Sequence, residues 1–251
     1  MSVWVGAGWK MNKTHQEALA YADAIFDAVP ENIDAFVLPP FTCLAAVAER
    51  LAESHVKVGA QNIHWEDHGP WTGEISGPML RDCGATLVEI GHSERRAHFG
   101  ENCETVALRV DAALRHGLTP LICVGETAED LEQGRADAVI EHQVRTALAG
   151  AQGGDVMIAY EPVWAVGEGG TAATPQDVET RQATLAALAL DMIGRPVPVL
   201  YGGSVSQSNA SGLLACPSVD GLFVGRAAWS ADGFLALANV AASHAKNEGA
   251  S

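Results

Sequence analysis

The sequence has few basic residues relative to its acidic ones. Lysine and arginine number 15 against 31 aspartates and glutamates, which gives a formal charge of -16 at pH 7. An acidic chain repels a polyphosphate backbone, so we expect no nucleic-acid partner. A single small phosphate is still compatible with this charge, because local backbone dipoles act more strongly than net charge at short range.

Paired cysteines and long apolar runs are also missing. The 5 cysteines are odd in number and include no C-x-x-C motif, which favours free thiols in a reducing compartment. No apolar stretch reaches the roughly 18 residues that span a bilayer, and no basic segment precedes an apolar run near Met1 as in a signal peptide. We therefore predict a cytoplasmic protein with no membrane partner.

Short apolar runs rich in β-branched residues recur along the 251 residues. Runs of this kind, without polar alternation, are typical of parallel strands that are buried on both faces. The predicted strands are Val3–Gly8, Ala35–Pro39, Val56–Ala60, Thr86–Gly91, Thr119–Val124, Val156–Glu161, Val197–Gly202 and Val219–Gly225.

Stretches rich in alanine and leucine, with helical spacing, separate these runs. They are Gln16–Ala28, Cys43–Ser54, Glu104–His116, Arg135–Ala149, Asp177–Met192 and Ala231–Ala245. About eight strand–helix alternations in roughly 250 residues predict an α/β fold, a (β/α)8 barrel that forms one domain over residues 1–251. The alternative is an open doubly wound sheet. The first turn argues against it, because Gly6–Lys10 lacks the third glycine of a dinucleotide-binding fingerprint.

Polar residues follow the predicted strands at only a few places. Barrel enzymes place their sites at the carboxyl ends of the strands, so these residues should meet in one cavity. The set comprises Lys10 after the first strand, His92 and Glu94 after the fourth, Glu161 at the end of the sixth, Gly202–Ser204 after the seventh, and Gly225 with Arg226 after the eighth.

Each of these residues has a chemical and a structural interpretation. Glu161 lies among bulky apolar residues that disfavour its charged form, which suits a general base, but a glutamate at a helix start also binds backbone N–H groups. His92 suits polarisation of a carbonyl, or is a buried histidine bonded to backbone. Lys10 offers positive charge to an anion, or is simply solvated. Glu94 has Lys10 and Arg95 as alternative partners.

The glycine-rich turns after the last two strands suit a phosphate group. Backbone N–H groups without neighbouring Cβ atoms can surround an anion, and this is the usual phosphate position in such barrels. The alternative is a pair of tight turns that need positive φ. The loop Val166–Thr171, which follows the Glu161 segment, has the glycines of a mobile lid that excludes water.

Four segments taken together resemble the triosephosphate isomerase family: Trp9–Asn12, Gly91–Arg96, Tyr160–Trp164 and Tyr201–Val205. The resemblance implies that Glu161 abstracts a carbon-bound proton, that neutral His92 binds the enediolate oxygens, and that Lys10 supplies positive charge. We also count Glu94 among the candidate catalytic residues. Gly167, Ser204 and Gly225 would bind the phosphate of a small sugar phosphate. It implies no metal or cofactor. It also implies a homodimer through the loop Gln61–Glu74, with Arg95 as a partner for Glu74.

The sequence departs from that family at several positions, and two of them bear on the substrate. Gly8 stands where the family has asparagine, and Arg226 replaces the second glycine of a Gly-Gly pair. We expect Gly8 to open volume for a substrate that is one hydroxymethyl group longer, and Arg226 to add charge near the phosphate or near the extra hydroxyl group. These departures resemble the L-erythrulose-1-phosphate isomerases, which interconvert L-erythrulose 1-phosphate and D-erythrulose 4-phosphate. The alternatives are a triosephosphate isomerase and a catalytically silent barrel that binds phosphosugars.

Overall fold

Eight parallel strands close into a barrel in a computed structural model that describes residues 2–165 and 173–248. Strand β1 pairs with both β2 and β8, so the sheet has no edge. The predicted (β/α)8 barrel is confirmed, and the open-sheet alternative is wrong. The strands are β1 (Trp4–Gly8), β2 (Asp34–Leu38), β3 (Lys57–Ala60), β4 (Leu87–Ile90), β5 (Thr119–Val124), β6 (Met157–Tyr160), β7 (Val199–Tyr201) and β8 (Gly221–Val224).

Helices lie between the strands and after the last one. They are α1 (His15–Ile25), α2 (Phe41–Arg50), α3 (Gly77–Asp82), α4 (Ser93–His98), α5 (Cys103–Arg115), α6 (Ala128–Glu132), α7 (Ala136–Ala147), α8 (Pro175–Ile193), α9 (Ala210–Leu214) and α10 (Ala231–Glu248). Two 3-10 turns, Val163–Ala165 and Arg226–Ala228, follow β6 and β8.

The six longer helices occupy the alanine- and leucine-rich stretches within a few residues of the predicted bounds. Helix α8 shows why its ends are sharp. The hydroxyl of Thr174 accepts a hydrogen bond from the N–H of Asp177, Pro175 opens the first turn, and Gly194 ends the helix at φ 85°. The hydrophobic pattern does not predict α3, α4, α6 or α9, because five or six residues complete less than two turns.

Successive residues of each strand face opposite sides of the sheet and form two separate cores. The outward residues pack against the helices in the larger core. The smaller core fills the barrel interior and consists of strand residues: Phe36, Leu38, Leu87, Leu121, Cys123, Met157, Ala159, Leu200 and Phe223. The interior is thus packed with side chains below the carboxyl ends of the strands.

Strand β1 contributes glycines to this interior, and they admit two phenylalanine rings. A Cβ atom at Gly6 would lie 2.0 Å from Cζ of Phe36, which is fully buried. Phe36 in turn stacks on Phe223, with ring centroids 5.9 Å apart. Gly6 therefore has no room for a side chain of any size.

Two further sequence predictions concern the cysteines and the membrane. All five cysteines are free thiols. In the part of the chain that the structure describes, no helix combines the length and the apolar character that crossing a membrane requires.

Gly6→Ala should lower the free energy of unfolding by about 1–3 kcal/mol, because the added methyl group overpacks the barrel interior against Phe36. Urea unfolding followed by circular dichroism measures this change. Gly212→Ala is the matched control, since a Cβ atom at Gly212 meets nothing within 4 Å and the residue lies in helix α9. This control should be neutral or slightly stabilising. Equal stability of Gly6→Ala and the wild type would contradict the packing described above.

Candidate active site

A cavity of about 400 Å³ opens at the carboxyl ends of the strands. Its lining includes eight residues that the sequence predicts for the site: Gly8, Lys10, His92, Glu94, Glu161, Ser204, Gly225 and Arg226. These residues are far apart in the chain and come from five strand ends. Gly167, the remaining predicted residue, lies outside the described residues.

Glu161 and His92 are buried side by side. Glu161 is 3% exposed, and its Oε1 lies 3.4 Å from Nε2 of His92. The N–H of Ser93 donates to the other carboxylate oxygen of Glu161 at 3.4 Å. A Cβ atom at Gly202 would lie 2.9 Å from Cγ of Glu161, so glycine at that position leaves room for the carboxylate. A proton acceptor and an imidazole thus face the same cavity.

The protonation of His92 follows from its backbone contact. His92 caps the short helix α4, and its Nδ1 accepts a hydrogen bond from the N–H of Glu94 at 3.1 Å. Burial lowers the pKa of His92, while the negative charges of Glu161 and Glu89 raise it, and the balance lies above the ordinary value. A proton on Nδ1 would break this hydrogen bond from the backbone. The hydrogen bond thus disfavours the protonated imidazole, whereas the two carboxylates favour it. The contact therefore selects the neutral tautomer whose Nε2–H points at the cavity.

Lys10 reaches the cavity from a strained backbone. Its φ is 53°, a left-handed conformation that is uncommon for residues other than glycine. The side-chain amide of Gln61 donates to the carbonyl oxygens of Lys10 at 3.0 Å and Leu38 at 2.8 Å, which holds this turn in place. The Lys10 ammonium lies 2.8 Å from Oε1 of Glu94. Positive charge is therefore fixed beside the cavity.

The partner of Glu94 is Lys10 rather than Arg95. Burial raises the pKa of Glu94, but the hydrogen bond and charge of Lys10 outweigh burial and leave the pKa below its usual value. Arg95 instead donates through Nε to Oε1 of Glu101. Glu94 accordingly holds Lys10 from the side of β4.

The opposite wall of the cavity is formed by the turns after β7 and β8. Gly202, Gly203 and Ser204 follow β7, and Gly225 with Arg226 follows β8. The hydroxyl of Ser204 donates to the carbonyl oxygen of Ala165 at 2.6 Å, which ties this turn to the segment after β6. Arg226 is exposed and adds positive charge at the rim. A wall of this kind can surround a phosphate group.

The segment that leads to the predicted lid is anchored. The indole N–H of Trp164 and the hydroxyl of Tyr160 both donate to Oε1 of Glu126 at 3.0 Å. Glu126 is buried and follows β5. The lid itself, predicted at Val166–Thr171, lies outside the described residues.

The expected open volume at Gly8 requires a correction. A Cβ atom at Gly8 would lie 3.0 Å from Cζ and 3.3 Å from Cε2 of Phe223. The ring of Phe223 thus stands where a larger residue at position 8 would begin, and both residues line the cavity. Gly8 does not leave empty space. It allows a phenylalanine from β8 to form part of the cavity wall.

Glu89 lines the same cavity and was not predicted from the sequence. It lies in β4, is 6% exposed, and its Oε1 is 4.0 Å from Nε2 of His92. Burial raises the pKa of Glu89 to about 7, with opposing effects from the charges of His92 and Glu161. The available signal is a single charged residue inside the apolar run Leu87–Ile90, since an acidic residue is rarely buried without a reason.

Comparison with known proteins identifies the family. The family model described as triosephosphate isomerase matches residues 3–241. The chain belongs to the triosephosphate isomerase family. The crystal structure of triosephosphate isomerase from Bartonella henselae has the same fold, with a TM-score of 0.88 and 36% sequence identity, over 96% of this chain and 99% of that chain.

Other members of the triosephosphate isomerase family are more similar in sequence. L-erythrulose-1-phosphate isomerase of Rhizobium etli is 54% identical over 250 residues, which cover 96% of this chain and 94% of the relative. The protein of the same name from Brucella melitensis is 53% identical over 92% of this chain and 93% of the relative. The resemblance stated from the four motifs is confirmed, and so is the expectation of an isomerase at the level of the family.

A metal or cofactor has few places to bind in this triosephosphate isomerase family member. Glu89, His92 and Glu161 each offer a donor atom within 4.8 Å of the others, and within the described ranges no other His, Cys, Asp or Glu group does so. The same atoms are suited to proton transfer at the cavity. The absence of a required metal or cofactor stays a prediction.

Replacing Glu89 with glutamine should make stability less sensitive to pH. Because the folded pKa of about 7 exceeds the ordinary value of 4.5, the unfolded chain loses this proton first as pH rises. Wild-type stability should therefore fall between about pH 4.5 and 7 through this group, by about 2–3 kcal/mol in the free energy of unfolding. Urea unfolding at pH 5 and pH 8 should show that the stability of Glu89→Gln relative to the wild type is higher at pH 8 than at pH 5.

The control for this measurement is Glu53→Gln, which removes an exposed carboxylate. It should track the wild type at both pH values. If Glu89→Gln also tracks the wild type, Glu89 is ionised in the folded protein over this whole range and the assigned pKa direction is wrong.

Proposed function

We propose that this protein is a sugar-phosphate isomerase that interconverts L-erythrulose 1-phosphate and D-erythrulose 4-phosphate. The observation that carries the proposal is the meeting of Glu161, His92 and Lys10 at one cavity whose other wall is made of glycine-rich turns. The names of the relatives that are 53–54% identical over most of the chain support the choice of substrate.

The reaction moves a carbonyl group between C2 and C3 of the substrate. Glu161 removes the proton from C3, and the electron pair of that bond forms the C2–C3 double bond while the C2 oxygen takes the negative charge. The Nε2–H of His92 and the Lys10 ammonium stabilise this enediolate. The hydroxyl proton passes from the C3 oxygen to the C2 oxygen by way of His92. Protonated Glu161 then returns its proton to C2, which leaves a ketone at C3.

The phosphate occupies the wall opposite β4 in this proposal. Backbone N–H groups at Ser204 and Gly225 bind it, and the charge of Arg226 attracts it to the rim. Gly167, the third predicted phosphate residue, lies outside the described residues. Backbone donors suit this task because a turn without bulky side chains lets the anion approach closely. With the phosphate held there, the reacting carbons lie in the cavity beside Glu161 and His92.

We also propose that the protein is a cytoplasmic homodimer. The supporting feature is the loop Gln61–Glu74, where His64 stacks on Trp65 at 4.2 Å and packs against Trp71 at 4.5 Å between ring centroids. Trp71 is 44% exposed in the single chain, which is a large apolar surface for a loop tip. The five free thiols support a reducing compartment.

A two-substrate assay tests the function. The wild type should show a higher kcat/KM on D-erythrulose 4-phosphate than on glyceraldehyde 3-phosphate, and Glu161→Gln should lose most activity on both, on the order of a thousandfold. A thousandfold preference for the triose would make the protein a triosephosphate isomerase. Binding of both sugars without turnover by the wild type would favour the silent barrel.

Gly8→Asn tests whether position 8 contributes to the preference for the longer substrate. Because the new Cβ atom lies 3.0 Å from the Phe223 ring, the side chains must crowd the cavity, and the ratio of tetrulose to triose kcat/KM should fall on the order of tenfold. The double variant Gly8→Asn/Phe223→Leu relieves the steric conflict and shows whether the asparagine itself or the displaced ring causes the change. An unchanged ratio in both variants means that position 8 does not contribute to discrimination between the two substrates.

A further inference from the structure

The strand pattern of β4 directs Glu89 into the barrel. Its neighbours Val88 and Ile90 belong to the outer core, whereas Leu87, two residues before it, belongs to the interior core. Because strand residues alternate between faces, Glu89 shares the inward face with Leu87. It forms part of the cavity floor, beneath His92.

Glu89 has weak partners for a buried carboxyl group. The Cys123 thiol donates to its Oε1 over 3.8 Å, and burial raises the pKa of Cys123, so this thiol keeps its proton. Nε2 of His92 lies 4.0 Å away, beyond hydrogen-bond reach. Within residues 2–165 and 173–248, no shorter hydrogen bond to this carboxyl group is present. A carboxyl group that is desolvated without a strong partner costs free energy, so its place in the cavity calls for a ligand group.

The position of Glu89 matches one end of the substrate proposed above. In that proposal the phosphate lies at the ends of β7 and β8, and the reacting carbons lie in the cavity beside Glu161 and His92. Strand β4 stands opposite β8 in an eight-stranded barrel, so the end of the sugar that is remote from the phosphate points toward β4. That end carries the hydroxymethyl group by which a tetrulose phosphate exceeds a triose phosphate.

We propose that Glu89 binds the terminal hydroxymethyl group of a four-carbon ketose phosphate and thereby selects it over a triose phosphate. The proposal rests on the function proposed above and names the residue that determines its specificity. The hydroxyl donates to the Glu89 carboxylate when that group is ionised, and accepts from it when it is protonated. Either bond supplies the partner that the protein itself does not provide.

A rival role for Glu89 is to act only through His92. A carboxylate that merely raises the pKa of this imidazole affects every substrate equally, because His92 serves the same oxygens in trioses and tetruloses. A residue that binds the hydroxymethyl group affects only the substrate that has one. Comparing the two substrates in one variant therefore separates these roles.

Glu89→Met and Glu89→Gln make the test, with D-erythrulose 4-phosphate and glyceraldehyde 3-phosphate as substrates. Methionine keeps the volume and removes the strong acceptor. It should lower tetrulose kcat/KM, mainly through KM, by about 10- to 100-fold more than it lowers triose kcat/KM. Glutamine can still bond a hydroxyl group and should keep most of the tetrulose activity. Circular dichroism checks that both variants fold.

The outcomes separate this inference from the function on which it rests. Equal losses on both substrates in Glu89→Met, with a wild type that prefers tetrulose, overturn the specificity role of Glu89 and leave the function standing. A wild type that acts on trioses alone overturns both. Unchanged tetrulose kinetics in Glu89→Met overturn the role of Glu89 without reference to the triose.

A second measurement applies if Glu89→Met fails to fold. The charged and titratable groups that face Glu89 are His92 and Glu94 after β4, Glu161 after β6, Lys10 after β1 and Cys123 in β5. All of these serve both substrates alike, so the ratio of the two kcat/KM values largely cancels their titration. In the wild type this ratio should rise with pH through about 7, since a hydroxyl group donates more strongly to a carboxylate than to a carboxylic acid. In Glu89→Gln the ratio should be flat, and equal slopes in the two proteins overturn the proposal.

Discussion

The hydrogen-bonded ladder between β1 and β8 is the constraint on which the rest of this structure depends. It joins the two ends of a sheet that would otherwise stay open, from Trp4 beside Gly221 to Ala7 beside Val224. Each strand then delivers its last residues to one rim. A lysine near the start of the chain comes to face a glycine turn more than 200 positions later, although neither has a local reason to be near the other. No single motif forms the cavity, which exists only because the barrel closes and brings the strand ends together.

The charged groups of the cavity lie close enough to influence one another's ionisation. Two buried carboxyl groups, Glu89 and Glu161, flank the imidazole of His92, and the Lys10 ammonium stands nearby. Burial disfavours ionisation of Glu89, and the nearby charge of Glu161 adds to that effect. The N–H of Glu94 in the short helix α4 donates to Nδ1 of His92, which leaves the proton of the neutral imidazole on Nε2. In a site of this type, protonation of one group changes the pKa values of its neighbours.

Much of this arrangement could be read from the sequence, for identifiable reasons. Strands buried on both faces appear as uninterrupted apolar runs, and a polar residue directly after such a run stands out, as Lys10 and Glu161 do. Glu89 was not predicted because it lies inside an apolar run, and only the residues that follow such runs were considered as site candidates. The role of Gly8 was misjudged for another reason: its neighbour Phe223 comes from a strand more than 200 residues away, and periodicity carries no information about contacts across a barrel. Register and closure, which decide such contacts, exist only in three dimensions.

The amide of Gln61 links two parts of the molecule that are usually considered separately. It binds the carbonyl oxygens of Lys10 and Leu38, and it is also the first residue of the loop that ends at Glu74. The left-handed turn at Lys10 is therefore held from outside its own strand, by the residue at which this loop begins. A substitution at Gln61 would therefore alter two features together: the support of the lysine turn at the cavity and the start of the loop.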